Sequence, residues 1–275
     1  MRKDVFPLAA FLRCYHPRAG IVGCTIAREL SRFDCSVAVL VCAEDVCGET
    51  SKTNSAIIRA EFDAPAGSLK AQLDGRGNAM VDQLAAKSNI PFRRSGSLVL
   101  CFERESLPQI HALYERGLTN GVPSLHLLSG DEVRALEPAV SAEAVAALYA
   151  PMGGIACPFF MTYALFENAK DSGVRFFFGS PAAAVSPAAS GYTAATSSGS
   201  VYHAVLLINA AGVYGNILHN RICKEKVRIV PRHGEYCLFG RRDGGLVSRA
   251  IFQLPGALGK GAHTVSAANA ALWNE

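Results

Sequence analysis

Apolar residues recur at regular spacings along most of the chain, and the clearest pattern lies near its start. Val22, Ile26, Leu30 and Phe33 follow one another at steps of four, four and three residues, which predicts a helix with one apolar face. The β-branched run at 36–41 predicts a buried strand directly after this helix. We therefore expect the apolar face of the helix to pack on the sheet that contains the strand.

The residues before this helix do not continue the pattern. A buried parallel strand is normally apolar throughout, but residues 11–18 contain charges, a histidine and Pro17. Either a first strand here is short and distorted, or residues 1–18 are not the natural partner of the helix and strand that come after them.

Helical and strand patterns alternate along the rest of the chain. Helices are predicted at 68–87, 107–120, 129–138 and 160–172. The inner face predicted for the first of them consists of Leu69, Leu73, Met80, Leu84 and Ala85. Strands are predicted at 96–102, 144–150, 174–178 and 227–239, with three short antiparallel strands within 182–208. Alternation of this kind indicates an α/β chain with additional antiparallel strands.

Two junctions share the same local design, in which a strand leads through small residues into a helix. The first contains Gly20 and Gly23, and the second contains Gly212 after the apolar run 205–208, which we expect to be a buried strand. A helix that begins in this way offers free backbone N–H groups and a positive dipole end to a phosphate, and glycine lets the phosphate approach. Two such junctions favour a nucleotide-binding protein.

The first junction departs from the usual dinucleotide-binding pattern at two positions. In G-x-G-x-x-G the first glycine falls on Arg18, and the carboxylate that should accept the ribose hydroxyl falls on Val41. Glu44 and Asp45 follow closely and could substitute from the loop, or could simply face solvent. Taken alone, this junction is explained equally well by a structural helix with small residues.

Composition limits the class of protein further. The 275 residues are half hydrophobic, so they can form a substantial core, and 27 basic and 23 acidic residues give a net charge of +4 without a basic cluster. No nucleic-acid partner is predicted. The nine cysteines lack C-x-x-C spacing and several lie in apolar runs, namely Cys24, Cys42, Cys101 and Cys237. Buried thiols in the cytoplasm are expected, with no metal site.

The chain also lacks the sequence features of membrane insertion and secretion. No apolar run approaches the roughly 20 residues of a membrane span, so no transmembrane segment is predicted. The N-terminus has a basic start, but its apolar stretch is short and contains Pro7, so we do not expect a signal peptide.

Seven short motifs in a fixed order resemble one family, the FAD-dependent oxidoreductases of the D-amino-acid-oxidase type. The branch they resemble contains L-2-hydroxyglutarate oxidase and glycerol-3-phosphate dehydrogenase-like enzymes. The motifs lie between residues 19 and 261 and are GIVGCTIAREL at 20–30, TSKTNSAII at 50–58, SGSLV at 95–99, GGI at 153–155 with Pro158, NAAG at 209–212, RHGEY at 232–236 and GKG at 259–261.

The resemblance implies an α/β fold in which a Rossmann-like FAD-binding domain is interleaved with a β-rich α+β substrate domain. The FAD-binding domain would comprise residues 1–94 and 153–222, and the substrate domain, truncated at its end, residues 95–152 and 223–275. Residues implied to bind FAD are Gly20, Gly23, Thr50, Ser51, Asn54, Ser55, Ala182 (through its backbone) and Gly212. The isoalloxazine ring would lie at the boundary between the domains.

The implied reaction transfers a hydride from the hydroxyl- or amine-bearing carbon of a small anionic substrate to flavin N5. Candidate catalytic residues are Arg59, Arg232, Tyr236 and Lys260, of which the last three are suited to hold a substrate carboxylate. Surface charges beside a packed tyrosine would explain those three residues as well. The electron acceptor is not specified by these residues.

Several positions depart from the family pattern. The usual histidine falls on Arg59, whose guanidinium stays protonated and cannot act as a general base. The usual glycine two residues later is Glu61, His233 stands where an arginine is customary, and the C-terminal segment that normally completes the flavin site lies beyond Glu275. We expect a retained fold and reduced FAD affinity.

Three functions are consistent with these observations. The first is an FAD-dependent oxidoreductase acting on a small 2-hydroxy acid of the L-2-hydroxyglutarate or glycerol-3-phosphate type. The second is a truncated, non-catalytic remnant of that family. The third is an NAD(P)-binding protein, because a βαβ unit alone does not determine which dinucleotide it binds.

Overall fold

The computed structural model describes residues 7–13, 19–231, 234–237, 241–255 and 263–264, and at 7–13 and 263–264 the course of the backbone alone. The helices are α1 Ile21–Leu30, α2 Leu69–Ser88, α3 Leu107–Thr119, α4 Gly130–Leu136, α5 Pro158–Asp171 and α6 Gly215–Ile222. The strands are β1 Pro7–Arg13, β2 Val37–Leu40, β3 Ile57–Ile58, β4 Phe92–Arg93, β5 Ser97–Cys101, β6 His126–Ser129, β7 Ala146–Ala150, β8 Gly154–Ala156, β9 Arg175–Phe177, β10 Ala182–Ala188, β11 Gly191–Thr196, β12 Val201–Asn209, β13 Ala250–Gln253 and β14 His263–Thr264.

The chain forms two compact units, each built from two stretches of sequence. Unit 1 comprises residues 1–54 and 158–236, and unit 2 comprises residues 55–157 and 237–275. Residues 55–94 therefore belong to unit 2, whereas the sequence-based division assigned them to the FAD-binding domain. That division by function stays a prediction.

Unit 1 is organised around a six-stranded sheet in the order β10-β11-β12-β1-β2-β9. Strands β12, β1, β2 and β9 run parallel, and β10 and β11 extend the sheet as an antiparallel meander. Strand β2 is buried along its whole length, as its β-branched sequence predicts. The parallel part with its helices is the Rossmann-like arrangement that the sequence predicts.

The first strand is present despite the charged and proline-containing residues after it. The backbone of Pro7–Arg13 pairs in parallel with β12 on one side and β2 on the other. The strand ends at Arg13, before the histidine and the proline, which lie outside the described residues. The run 11–18, whose charges and proline are unusual for a buried strand, therefore overlaps only the last residues of β1.

Unit 2 contains a five-stranded sheet in the order β14-β13-β5-β7-β6 and a three-stranded sheet in the order β3-β8-β4. Strand β5 is buried throughout, and its alternate faces contribute to two apolar clusters. Val99 and Cys101 pack with Ile110 of α3 and Leu148 of β7. On the other face Leu98 packs with residues that include Val133 of α4.

Two predicted helices form, but their buried faces differ from the predicted ones. Helix α1 buries Gly23, Cys24 and Ala27 and packs against α5, while Val22 and Phe33 are 61% and 68% exposed. The small residues permit close helix contact, which displaces the larger apolar residues outward.

Helix α2 shows the same difference. It buries Ala71, Asn78, Val81 and Ala85. The predicted inner-face residues Leu69, Leu73 and Met80 are exposed. Of the predicted residues, only Ala85 is among those that α2 buries. The buried face is the one that carries Asn78, whose side-chain amide donates hydrogen bonds to two backbone carbonyl groups.

Two predicted strand properties are wrong. The segments 227–231 and 234–237 form no strand, and the N–H of Val227 donates to Asn220 Oδ1 rather than to a neighbouring strand. Strand β12 exists, but Val205 and Leu206, which point to opposite faces, are both exposed. Of the cysteines expected inside, Cys24 and Cys101 are buried, Cys42 is half-buried and Cys237 is exposed.

Candidate functional site

The two glycine-containing junctions of unit 1 lie at the same edge of one sheet. In the register of the sheet, Arg13 at the end of β1 pairs with Asn209 at the end of β12 and with Leu40 at the end of β2. Because these strands are parallel, their carboxyl ends lie at the same edge of the sheet. In doubly wound folds this edge is where ligands bind.

The N-terminus of α1 is closely packed by the loop that contains Ser51. Gly20 is the N-cap residue, and Ser51 Oγ accepts a hydrogen bond of 3.0 Å from Ile21 N–H. A Cβ on Gly20 would lie 2.7 Å from Ser51 Oγ, so a larger residue would displace that hydroxyl. The N–H groups of Val22 and Gly23 belong to the first turn, where a helix supplies no internal acceptor.

The second junction is shaped by Asn209. Its Oδ1 accepts a hydrogen bond from Ala211 N–H, and its Nδ2 donates to the carbonyl oxygen of Gly215. Gly212 has a φ of +55°, a conformation that favours glycine. A Cβ on Gly23 would lie 3.8 Å from the Cβ of Ala210, so the two junctions are in contact distance of each other.

The remaining residues predicted to bind FAD are distributed unevenly. Thr50 is exposed in the same 3-10 turn as Ser51, and Asn54 Nδ2 donates to the carbonyl oxygen of Ser51. Ala182 is buried at the start of β10. Ser55 belongs to unit 2. Unit 1 therefore brings together Gly20, Gly23, Thr50, Ser51, Asn54 and the Gly212 turn.

The two acidic residues after β2 have different surroundings. Asp45 accepts hydrogen bonds from the hydroxyl of Tyr163 and from Val46 N–H. Glu44 is exposed, and its Oε1 lies 3.2 Å from the position of a Cβ on Gly179. Val41 is buried and has no side-chain acceptor. Of the two alternatives to Val41, Glu44 is therefore the one whose carboxylate is open to a ligand.

Unit 2 holds Arg59 in a charged segment that begins after β3. Its Nη1 lies 3.8 Å from Asp63 Oδ2, and the side chain is about half exposed. The backbone carbonyl of Arg59 accepts a hydrogen bond from the buried Asn78 on α2. Asn78 is itself fixed by Arg94, whose Nη1 donates to Asn78 Oδ1 over 3.0 Å. The guanidinium therefore extends from an immobilised backbone.

Glu61 lies two residues beyond Arg59 and is a functional candidate that the sequence did not indicate as such. Its φ is +52° and its side chain is buried, with Oε1 2.7 Å from Lys70 Nζ. Burial and a hydrogen bond with Asp74 raise the pKa of Glu61 to about 7, while Lys70 opposes the rise. The available signal was a glutamate at a position where the family usually has glycine.

The other candidate catalytic residues are described only in part. Tyr236 is exposed in unit 1. Arg232 and Lys260 lie outside the described residues, as do Arg18 and His233. Within the described part of the chain, no group of three or more histidine, cysteine or acidic side chains could hold a metal ion. No helix in that part is both long and apolar enough to cross a membrane.

A family model described as FAD dependent oxidoreductase matches residues 19–270. This chain belongs to the FAD-dependent oxidoreductase family. The prediction of that family, and of FAD as its cofactor, is thereby confirmed.

Similar proteins refine the position of this FAD-dependent oxidoreductase within the family. It is 41% identical over 243 residues to a glycerol 3-phosphate dehydrogenase of Caloramator mitchellensis, with 88% of this chain and 50% of the relative covered. It is 28% identical to the mitochondrial L-2-hydroxyglutarate dehydrogenase of Caenorhabditis elegans, covering 86% of this chain and 56% of that protein. The chain thus spans about half the length of the curated relatives it matches.

The fold of this FAD-dependent oxidoreductase is shared with a solved structure. The chain matches a dithionite-reduced L-α-glycerophosphate oxidase from Mycoplasma pneumoniae with FAD bound, at a TM-score of 0.83 and 22% identity. The match covers 97% of this chain and 70% of that one. The predicted α/β fold class is thereby confirmed.

The residues of unit 1 suit the pyrophosphate of FAD. Gly20 and Gly23 keep side chains away from the first turn of α1, and the Gly212 turn adjoins the same place. The ribose position suits FAD less well, because Val41 cannot accept a hydrogen bond.

Proposed function

We propose that this chain is an FAD-dependent oxidoreductase that oxidises a small anionic 2-hydroxy compound, of the L-2-hydroxyglutarate or glycerol-3-phosphate type. The observation that carries the proposal is the meeting of the Gly20–Gly23 junction and the Gly212 turn at one carboxyl edge of a parallel sheet. Bare backbone at a helix N-terminus and at a neighbouring turn suits an elongated ligand with a pyrophosphate in its middle.

The cofactor-binding roles that we propose are supported by this geometry and by the family. The first turn of α1 would hold the pyrophosphate, with Gly20 and Gly23 permitting close approach. Thr50, Ser51, Asn54 and Ser55 would line the flavin, and the backbone of Ala182 would meet the adenine. Glu44 would accept the ribose hydroxyl in place of Val41. When bound, the flavin supplies hydride acceptance at N5.

The substrate-binding roles rest on charge. Arg59 is a half-exposed cation on a fixed backbone, which suits an anionic group of the substrate. Arg232, Tyr236 and Lys260 are proposed to hold a substrate carboxylate as well. The proposal further includes a cytoplasmic location and an electron acceptor whose chemistry these residues do not specify.

The first experiment is the visible spectrum of the purified chain after incubation with FAD and removal of unbound cofactor. A retained flavin spectrum that bleaches on anaerobic addition of L-2-hydroxyglutarate or glycerol 3-phosphate is expected, because reduction removes the oxidised flavin absorption. A colourless protein that takes up no FAD would favour the non-catalytic remnant and contradict the proposal.

Thermal unfolding distinguishes the third function. A ligand that binds only the folded state raises its stability by about 2.7 kcal/mol at a concentration of 100 times Kd, so the midpoint should rise with FAD. A rise with NADP and none with FAD would instead indicate an NAD(P)-binding protein. The compound that bleaches the flavin, L-2-hydroxyglutarate or glycerol 3-phosphate, identifies which of the two proposed types of substrate is oxidised.

A further inference from the structure

The side-chain amide of Asn78 connects three separate parts of the chain within unit 2. Its Nδ2 group donates to the carbonyl oxygen of Arg59 and, over 2.9 Å, to the carbonyl oxygen of Met152. Its Oδ1 atom accepts a hydrogen bond of 3.0 Å from Arg94 Nη1. The nitrogen and the oxygen of this buried amide are therefore both bonded, and each partner lies outside α2.

The three partners of this amide lie at one end of the three-stranded sheet β3-β8-β4. Arg59 directly follows β3 and Arg94 directly follows β4, whereas Met152 precedes β8 by two residues. Strand β8 is antiparallel to both of its neighbours, so the ends of β3 and β4 and the start of β8 share one edge of the sheet. Asn78 thus fixes the point at which the chain leaves β3, which is the position of Arg59.

Arg94 holds the amide of Asn78 in this orientation. Its guanidinium also donates to the backbone carbonyl of Asn78, over 2.7 Å, and to that of Met152. On its outer side it is paired with Asp82, whose pKa it lowers by hydrogen bonding, and it lies 5.0 Å from the centroid of the Phe92 ring. If the amide were rotated by half a turn, its oxygen would face two carbonyl oxygens, so the network fixes one orientation of Asn78.

We propose that Asn78 and Arg94 are positioning residues for the binding of a substrate anion by Arg59. The inference rests on the proposed function, in which Arg59 takes an anionic group of the substrate. The Arg59 side chain is about half exposed and its Nη1 lies 3.8 Å from Asp63, so the guanidinium is accessible while its backbone is held. A cation on a mobile backbone has to be ordered when the anion binds, and that ordering reduces the affinity.

The positioning role is tested by calorimetric titration of the chain with L-2-hydroxyglutarate and, separately, with glycerol 3-phosphate. Asn78→Ala should weaken the binding of the compound that the wild-type protein binds by about tenfold, because the carbonyl of Arg59 loses the donor that holds it. In the FAD-loaded enzyme, KM should rise by a similar factor while kcat changes less, since the lost interaction orders the anion equally in the bound substrate and in the transition state.

A double-mutant cycle distinguishes positioning of Arg59 from a general effect on the fold. Arg59→Ala alone should weaken anion binding by about tenfold or more, because it removes the cation. In the Arg59→Ala background, Asn78→Ala should cause no further loss of affinity, because the guanidinium that Asn78 positions is absent. A purely structural role of Asn78 would instead give the same loss in both backgrounds, and that result would overturn the inference.

Two further variants separate positioning from stability. Val81 is buried on the same face of α2 but has no hydrogen-bonding side chain, so Val81→Ala destabilises the helix and should leave anion affinity as in wild type. Arg94→Lys keeps the charge but not the planar fork, and it provides the test if Asn78→Ala does not fold. It should weaken anion binding by about threefold, and only when Arg59 is present.

The outcomes distinguish this inference from the proposed function. Flavin bleaching in wild type, with unchanged anion affinity and KM in Asn78→Ala and Arg94→Lys, would overturn the inference and leave the proposed function standing. An equal loss of affinity in Val81→Ala, or no binding of either compound to wild type, would likewise overturn the inference. A loss of affinity that depends on Arg59, in protein that takes up no FAD, would support the positioning of Arg59 and overturn the proposed function.

Discussion

Glu61 couples the stability of the chain to pH through a buried carboxyl group. Its pKa is about 7 in the folded protein against an ordinary value of 4.5, because burial and Asp74 favour the protonated form. Between these values the folded state binds more protons than the unfolded state, so the free energy of unfolding decreases as pH rises. The contribution is fully present below pH 4.5 and is lost above pH 7.

The resulting prediction concerns Glu61→Gly. In wild type, this group should lower the free energy of unfolding by at most about 3 kcal/mol between pH 4.5 and pH 8, and the variant should lack this decrease. Glycine also removes the left-handed strain, worth about 1 kcal/mol, so the variant should equal or exceed wild type at pH 8. Urea unfolding across this pH range measures both effects. An identical pH dependence of the free energy of unfolding in wild type and variant would contradict the raised pKa of Glu61 in the folded protein.

Single residues of the site differ in how far the sequence could predict them. Gly20, Gly23 and Ser51 were predicted because each lies in a short motif that is readable from the sequence, and unit 1 places the three residues together. The environment of Glu61 was not predicted, because its burial depends on α2, whose orientation is set by tertiary packing. A sequence position can show that a residue is unusual without showing what surrounds it.

Among the elements, α2 contains two exposed glycines that weaken it. No atom lies within 4 Å of a Cβ built on Gly75 or Gly77 among the described residues, so an added methyl group meets no obstacle. Gly75→Ala should raise the free energy of unfolding by about 1 kcal/mol, because alanine is the better helix former. Denaturant unfolding measures the change. A loss of stability would show that this helix is not continuous at Gly75.

The capping box of α4 is a second element-scale test. Ser129 Oγ accepts from Glu132 N–H, while the Glu132 carboxylate accepts from Ser129 N–H. Ser129→Ala should cost about 1 kcal/mol of stability. The exposed Ser36, outside any helix, is the matched control, and Ser36→Ala should change stability by less than about 0.5 kcal/mol. Equal effects of the two substitutions would argue against the cap.

The burial observed on α2 predicts opposite outcomes for two similar substitutions. Val81 is 8% exposed and Leu73 is 53% exposed. Val81→Ala should therefore cost about 1 to 3 kcal/mol, and Leu73→Ala less than about 0.5 kcal/mol. Unfolding measurements on both variants check the orientation of the helix. A larger loss of stability in Leu73→Ala than in Val81→Ala would instead support the buried face that the sequence predicts.

The positions of the helices and strands along the chain were more predictable than which of their faces are buried. The positions of α1, α2, α3, α4 and α5 follow from periodicity, caps and prolines, which are local signals. The buried face of α1 does not, because α5 packs on Gly23, Cys24 and Ala27 rather than on the larger apolar residues. The missing strand at 227–231 has a similar cause, since an apolar run needs a hydrogen-bonding neighbour to become a strand.

At the scale of the molecule, the parallel core of unit 1 is the feature on which the functional account depends. Local patterns predicted two strand-to-helix junctions, and the family resemblance predicted that both serve one cofactor. The pairing of β1 with β12 was not predictable from local patterns, since it joins residues nearly 200 positions apart. That pairing brings Gly23 and Ala210 to adjacent positions.

Titration with FAD, monitored by calorimetry, is the most direct test of whether FAD binds at this edge of the sheet. Gly20→Ala places a Cβ 2.7 Å from Ser51 Oγ at the first turn of α1 and should weaken FAD binding by about tenfold or more. Gly75→Ala in unit 2 is the matched control and should bind FAD as wild type does. Equal FAD affinity in all three proteins, or no binding to any of them, would contradict the claim that FAD binds at this sheet edge.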